Sequence, residues 1–251
     1  MNKQSLYLTD LLCLVNEIKS YLPARCHQIY QPEKRVVLLK LTSKTKGKFF
    51  ILLEASPSRQ TIRIIPSNDF KLPKIPYSFC TKMRKHLGNR FLENINIMGV
   101  DRIVYLKFSH DHSLILELFD HGNLIMVDDN YNIVSLFRSH KYDSDHLLQP
   151  NKSYPLDLIN LHQFDHSPYS EIMELPFNQL DVVDSKDFIF SDYLDRVEYR
   201  GKKVRDVLIN VNSPFVWLGK DFIFHVLALL DISPNQKLKS ITLLIKLETL
   251  L

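Results

Sequence analysis

The apolar positions of the chain change period several times, and each change predicts a change of element. In residues 9–22, Leu11, Val15, Ile18 and Leu22 recur at helical spacing behind Thr9 and Asp10, two side chains suited to cap a helix. An amphipathic helix is expected there. The runs at 35–41 (RVVLLKL), 48–54 (KFFILLE) and 60–65 (QTIRII) are compact, β-branched or aromatic, and separated by polar turns, so they predict antiparallel strands. Pro73 and Pro76 then interrupt the chain ahead of residues 77–90, where Phe79, Met83 and Leu87 repeat every four residues and Gly88 ends the segment, predicting a second helix. Further runs at 91–98, 102–108, 113–119, 123–128 and 132–138 have short connections. Asp120-His121-Gly122-Asn123 and Asp129-Asn130 supply turn chemistry between them, so these runs read as a meander.

The pattern loosens from about residue 150, where Pro150, Pro155, Pro168 and Pro176 fall in an acidic, weakly periodic stretch. Helical spacing returns at 187–210 and again at 221–231, the latter apolar nearly all round. The expected fold class is α+β: an antiparallel-strand domain over residues 1–150, a linker over 151–184 and a small all-helical domain over 185–251.

Composition adds a partner class. Residues 1–107 carry 19 Lys and Arg against 7 Asp and Glu, whereas residues 108–251 carry 13 against 21. A basic half on a chain of net charge +4 is the pattern of a surface that meets a polyanion, with scattered solvated lysines as the bland reading. No stretch approaches the roughly 20 apolar residues that span a bilayer. The first residues lack the continuous apolar core of a secretory signal, so a soluble protein is expected. Cys13, Cys26 and Cys80 are far apart and odd in number, which favours reduced thiols over a disulfide framework or a metal site. A nucleophilic Cys80 would need a depressed pKa. Among the ten histidines the nearest pairing is His110 with His112, without a third ligand at a recognised spacing, so no metal is expected.

Three stretches carry more than composition: FCTKMRKHLGNR (79–90), MGVDRIVYLKF (98–108), and LILELFDHGNLIMVD with NIVSLFR (114–128 and 132–138). Together with the helix carrying Asp10 and RCHQIYQPEKRVVLLKL (25–41), their order over most of residues 1–140 resembles the N-terminal domain of the NFACT family, and the HGN turn and GVDRIV phrase resemble its eukaryotic branch. Residues 204–232 are similar to the helix-hairpin-helix segment that follows that domain, with Gly219 but no Gly-x-Gly hairpin. The resemblance implies a fold like the N-terminal domain of formamidopyrimidine-type DNA glycosylases and a role in ribosome-associated quality control. Such factors bind a large ribosomal subunit obstructed by peptidyl-tRNA, recruit charged tRNA, alanyl-tRNA in particular, and support untemplated C-terminal tailing of the stalled chain. Eukaryotic members also help engage a ubiquitin ligase. The implied partners are tRNA, the large subunit with its RNA, and a ubiquitin ligase, without membrane or cofactor. Because the ribosome forms the bonds, the implied protein is a binder and not an enzyme. The coiled coil and C-terminal domain that follow in the family are not in residues 1–251.

The resemblance assigns tRNA engagement to Asp10, Asp101 and Arg102. The chemistry is suitable, since Arg presents a planar fork to a phosphate or a guanine edge, while Asp can only accept from a base amine or a ribose hydroxyl. The competing reading is a local Asp101–Arg102 ion pair worth under about 1 kcal/mol, with Asp10 as a helix N-cap. Whether Arg102 lies in a loop or on a strand stays open, because Ile103, Val104 and Leu106 occupy both alternating faces. Lys82, Arg84, Lys85, His86 and Arg90 share the predicted second helix with the stripe Phe79, Met83 and Leu87, so the stripe can dock and the cations can meet phosphates. A solvated face is the alternative. Arg35, Lys44, Lys46 and Lys48 at strand ends extend the patch unless each is a solvated turn residue. Tyr131, Phe137 and Trp217 suit base stacking, although packing is the commoner use.

Two other functions compete. A DNA glycosylase of the type named above resembles its kin in starting with Pro-Glu, whose terminal amine is the nucleophile, whereas this sequence starts Met1-Asn2-Lys3 and has no cysteine-rich finger. A non-catalytic adhesin or interaction module at a cell surface would be expected to carry a secretory signal.

Overall fold

The structure, a computed structural model, describes residues 6–67, 70–98, 102–142, 146–156, 201–209, 220–229 and 231–237. Its contacts divide the chain into two compact units, one of Met1–Leu6 with Asp10–Gln163 and the other of Tyr7–Thr9 with Phe164–Leu251.

Helix α1 (Leu8–Lys19) buries Leu11, Val15 and Ile18, the stripe that the spacing predicts. It begins at Leu8, so Asp10 falls inside the first turn. There the open N–H groups and the helix dipole favour a carboxylate, and the N-cap assignment for Asp10 is corrected accordingly. Nine strands follow: β1 (Ala24–Glu33), β2 (Val36–Ser43), β3 (Gly47–Ser56), β4 (Arg59–Ile65), then helix α2 (Ser78–Leu87), β5 (Phe91–Met98), β6 (Ile103–Phe108), β7 (His112–Glu117), β8 (Asn123–Asp128) and β9 (Ile133–Leu136).

The nine strands form one antiparallel sheet in the order β4-β3-β2-β1-β5-β6-β7-β8-β9. Pairing is extensive within each half and narrow at the join, where β1 meets β5 only at Ala24↔Leu92 and Arg25↔Phe91. A sheet so lightly joined in the middle can fold back on itself, and β3 packs against β7 and β8 despite their distance in sheet order. The molecule thereby gains two faces to cover as well as the interior. On the first half, Val36, Leu38 and Leu52 are covered by Tyr30, Ile65 and Phe70. On the second, Ile103, Ile115, Ile125 and Val127 pack with Leu148 and Tyr154, beyond the meander. Strands buried on both faces read as continuous apolar runs, and Ile103, Val104 and Leu106 point both ways because both sides are buried.

Strand β1 is absent from the hydrophobic pattern, and its pairing explains why. Register shifts between Cys26 and Gln28 and between Tyr30 and Glu33 change which side chains face the core, burying Gln31 and Pro32 in place of a regular alternation. A short hairpin of β10 (His140–Lys141) and β11 (Leu147–Leu148) follows β9.

In the second unit, α3 (Val204–Leu208) lies inside the predicted stretch 187–210 and α4 (Lys220–Leu229) begins one residue ahead of the predicted 221–231, and Val204, Val207, Leu208, Ile223 and Leu227 are buried. Most of the predicted 151–184 linker and much of the predicted 185–251 helical domain lie outside the described residues. Among the described residues, no helix is long and apolar enough to cross a membrane.

Candidate nucleic-acid interface

The cations of α2 are displayed by the packing of its other side. Phe79, Cys80, Met83 and Leu87 are buried, and the helix lies against β1 and β9, with the Phe79 ring 4.9 Å from that of Phe137. Two further bonds tie it to β1: the Cys80 thiol and the Arg84 Nε both donate to the Ile29 carbonyl, at 3.5 and 2.7 Å. Gly88 ends the helix through a close approach and not through a left-handed backbone: its φ is −60°, and a Cβ there would sit 2.4 Å from the Arg84 carbonyl oxygen. The left-handed residue is Asn89, at φ 62°.

On the outer side, Lys82, Lys85 and Arg90 are exposed, and among the described residues none of them joins an ion pair. Arg84 is exposed as well, with one N–H committed to Ile29. His86 is half-buried, its ring 4.2 Å from that of His112 at the start of β7. Burial, His112, Lys85 and Lys82 together hold the His86 imidazole below its ordinary pKa.

Arg102 stands just ahead of β6 with φ 54°, so it belongs to the turn and not to the strand. A long side chain in that region costs about 1 kcal/mol or more, the kind of strain that clusters at functional sites. Its carbonyl accepts the Leu118 N–H at 3.0 Å, and its guanidinium Nη1 donates to the Leu6 carbonyl at 3.1 Å. Leu6 stands two residues ahead of α1, so Arg102 is drawn toward the end of the helix that carries Asp10. Asp101 lies outside the described residues.

The 120–123 turn follows Leu118, and it is clamped from three sides. Arg35 Nη1 donates to the carbonyls of His121 (2.7 Å) and Gly122 (3.3 Å), and Gln60 Nε2 to that of Asp120 (2.7 Å). Arg138 donates from Nε to the Gly122 carbonyl (3.3 Å) and from Nη2 to Asp120 Oδ2 (2.9 Å). Gly122 is required twice over, by a φ of 66° and because a Cβ would lie 2.7 Å from the Ala55 carbonyl oxygen. Arg35 is therefore neither part of an open patch nor a solvated turn residue: it is spent on the turn, and burial and Arg138 lower its pKa. Beneath the turn, Glu117 is 2% exposed and accepts from the phenols of Tyr142 and Tyr154, the latter at 3.0 Å. Burial pushes its carboxyl upward against the pull of both phenols, Arg138 and Asn123.

The remaining candidates separate cleanly. Phe137 is occupied by Phe79, and Tyr131 packs in the outer core of the second half-sheet, 6.0 Å from Tyr105; Trp217 lies outside the described residues. Lys46 places its ammonium 5.7 Å from the Tyr21 ring. The three cysteines are free; burial pushes Cys26 up to about 12 and also raises Cys80, despite Arg84 nearby, which removes the thiolate that a nucleophilic Cys80 would need. Among the described residues no group of three or more His, Cys, Asp or Glu is placed to hold a metal. Sequence spacing pairs His112 only with His110; its contact with His86 joins a helix to a strand across the fold, which no local spacing signals.

The family model described as NFACT N-terminal and middle domains matches residues 8–180. Human "Ribosome quality control complex subunit NEMF" is 35% identical over 155 residues, covering 59% of this chain and 14% of that protein. "Ribosome quality control complex subunit 2" of Schizosaccharomyces pombe is 27% identical over 192 residues, covering 72% of this chain and 18% of that protein. The chain thus spans a small part of the length of these relatives. Among solved structures, the N-terminal domain of the fibronectin-binding protein PavA from Streptococcus pneumoniae is 26% identical, covers 60% of this chain and 63% of that one, and superposes with a TM-score of 0.55.

Proposed function

The chain belongs to the NFACT family, and from that premise we propose that it is a cytoplasmic factor of ribosome quality control that binds tRNA on the large ribosomal subunit. The observation that carries this reading is the set of exposed cations, Lys82, Lys85 and Arg90, without ion pairs among the described residues, on a helix fixed by its buried stripe. Because the helix that carries them is already docked, these cations can meet phosphates without ordering the backbone, and each phosphate met releases counterions. Asp10, Asp101 and Arg102 are assigned the discriminating contacts, because a carboxylate beside a phosphate backbone gains only where a base or ribose hydroxyl donates to it. Recruitment of alanyl-tRNA, support of untemplated tailing and engagement of a ubiquitin ligase belong to the same reading, as does a role without catalysis or cofactor. So does the division into a glycosylase-like domain over 1–150, a linker over 151–184 and a helix-hairpin-helix domain over 185–251.

The test is tRNA binding measured by filter retention over a salt series. Wild-type affinity should fall steeply with salt; Lys82→Glu with Lys85→Glu should weaken binding by about tenfold or more and flatten the slope by about two units, while stability changes by no more than about 0.5 kcal/mol. Affinity that ignores salt, or no binding, rejects the proposal. Asp101→Ala and Asp10→Ala should instead reduce the preference between two tRNAs, by about 1–3 kcal/mol at most. Arg102→Ala is the less clean probe, since it also removes the bond to Leu6. The likeness to a Streptococcus pneumoniae protein named for fibronectin binding raises an adhesin reading, which fibronectin binding without RNA binding would favour.

A further inference from the structure

Beside the lysines of α2, the fold brings two histidines into contact. His86, in the last turn of α2, and His112, the first residue of β7, hold their rings 4.2 Å apart with 41° between the planes. Burial and the adjacent His112 ring oppose protonation of His86, and Lys85 and Lys82 on the same helix add to the effect. The other charged groups at this corner are His110 and Asp111 in the turn leading into His112, Arg90 beyond the end of α2, and Asp128, the partner of His112 across β7 and β8. Asp128 is largely engaged by its own turn: its Oδ1 accepts the N–H groups of Asn130 (2.9 Å) and Asn132 (2.8 Å), and its Oδ2 accepts from Asn132 Nδ2 (3.0 Å). Among the described residues neither His86 nor His112 joins an ion pair.

We propose that His86 and His112, flanked by Lys82 and Lys85, form a proton-coupled seat for one backbone phosphate of RNA. The neighbouring carboxylate, Asp128, is taken up by its own turn and by His112, so the phosphodiester supplies an anion for His86: binding draws a proton from solvent onto that imidazole, and the imidazolium donates to a phosphate oxygen. No covalent bond changes. The lysines hold phosphate at any pH near neutrality, whereas the histidine pair strengthens the hold only as pH falls. The inference rests on the RNA-binding reading and adds to it a residue, His112, and a dependence on pH.

The experiment compares binding of one deacylated tRNA at pH 8 and pH 6, at constant salt, for wild type, His86→Gln, His112→Gln and the double variant. Wild type should tighten by up to about tenfold as pH falls, the effect of a pKa rise of about one unit on binding. Each single variant should lose most of that gain, and the double variant should bind equally at both pH values, at or below the wild-type affinity at pH 8. A second readout is the imidazole proton resonances of His86 in NMR, which should titrate at higher pH when tRNA is bound. Thermal melts of the variants keep misfolding from being read as lost binding, and a variant that melts early is replaced by its Asn counterpart. Wild-type binding that is intact but indifferent to pH, or equally pH-dependent in the double variant, overturns the seat alone. Absence of tRNA binding at both pH values overturns the RNA reading and this inference with it.

Discussion

The 120–123 turn and the outer face of α2 both gather positive side chains, and they use them in opposite ways. At the turn, Arg35 and Arg138 are directed onto backbone carbonyls and onto Asp120, and the Arg138 side chain is only 20% exposed. On α2, Lys82, Lys85 and Arg90 reach solvent from a surface whose apolar side is already docked. Arg35 counts toward the basic balance of residues 1–107 just as the α2 cations do, yet only the α2 cations leave their charge for a partner. Counting cations therefore overstates a nucleic-acid surface wherever arginines serve as internal clamps, which their fork of donors suits better than the single ammonium of lysine.

Gly122→Ala should separate the regions most sharply. It forces a side chain onto a left-handed residue and against the Ala55 carbonyl, so a loss of about 3 kcal/mol or more in unfolding free energy is expected in denaturant titration. The fraction that remains folded should bind tRNA as wild type does. Arg138→Ala comes next: it removes a charge-assisted bond to Asp120 and a bond to Gly122, with an expected cost of about 1–3 kcal/mol and no change in the salt slope of RNA binding. A flattened salt slope in that variant would show that the clamp and the RNA face are one surface, and the contrast would fail.

The smallest effect is expected at Glu117, and it concerns pH. Burial raises this carboxyl in the folded protein, so folding holds its proton more tightly than the unfolded chain does. The stability it contributes is then fully present below the unfolded value near 4.5 and is lost as pH rises toward and through the raised value. Glu117→Gln keeps an oxygen for the phenols of Tyr142 and Tyr154 and removes the ionisation. The variant should match wild type near pH 4 and exceed it near pH 7, by roughly 1 kcal/mol for each unit of the rise. Equal melting curves at both pH values would mean that Glu117 ionises freely. Protonation would thus tune stability under the turn and, through His86 and His112, binding at α2.

Much of this was legible in the chain. The stripe Leu11, Val15 and Ile18 and the stripe Phe79, Met83 and Leu87 became the buried sides of α1 and α2, and the runs from 35 to 65 and from 91 to 138 became strands. The exposed lysines of α2 followed directly from the position of its stripe. Strand β1 was not legible, because its bulges break the alternation that a local reading needs. Helix α1 starts three residues earlier than an Asp10 cap requires, which moves Asp10 from a cap to the first turn. The role of Arg35 was hidden as well, since its partners lie 86 and 87 residues away.

The amino-acid sequence by itself determined where most of the helices and strands form, β1 excepted, which face of α2 is apolar, that the first 107 residues are basic, and the kinship with NFACT proteins. Those are properties of neighbours along the chain, and periodicity or a run of identities records them. Tertiary structure alone decided that the sheet folds back at a two-pair join, that Gly122 must approach Ala55, that Arg35 and Arg138 are consumed while Lys82 and Lys85 are not, and that His86 meets His112. The physical reason is that each of these depends on a contact between segments whose separation in sequence bears no relation to their separation in space. Whether a charge is available depends on which donors and acceptors the folded chain brings within hydrogen-bonding distance.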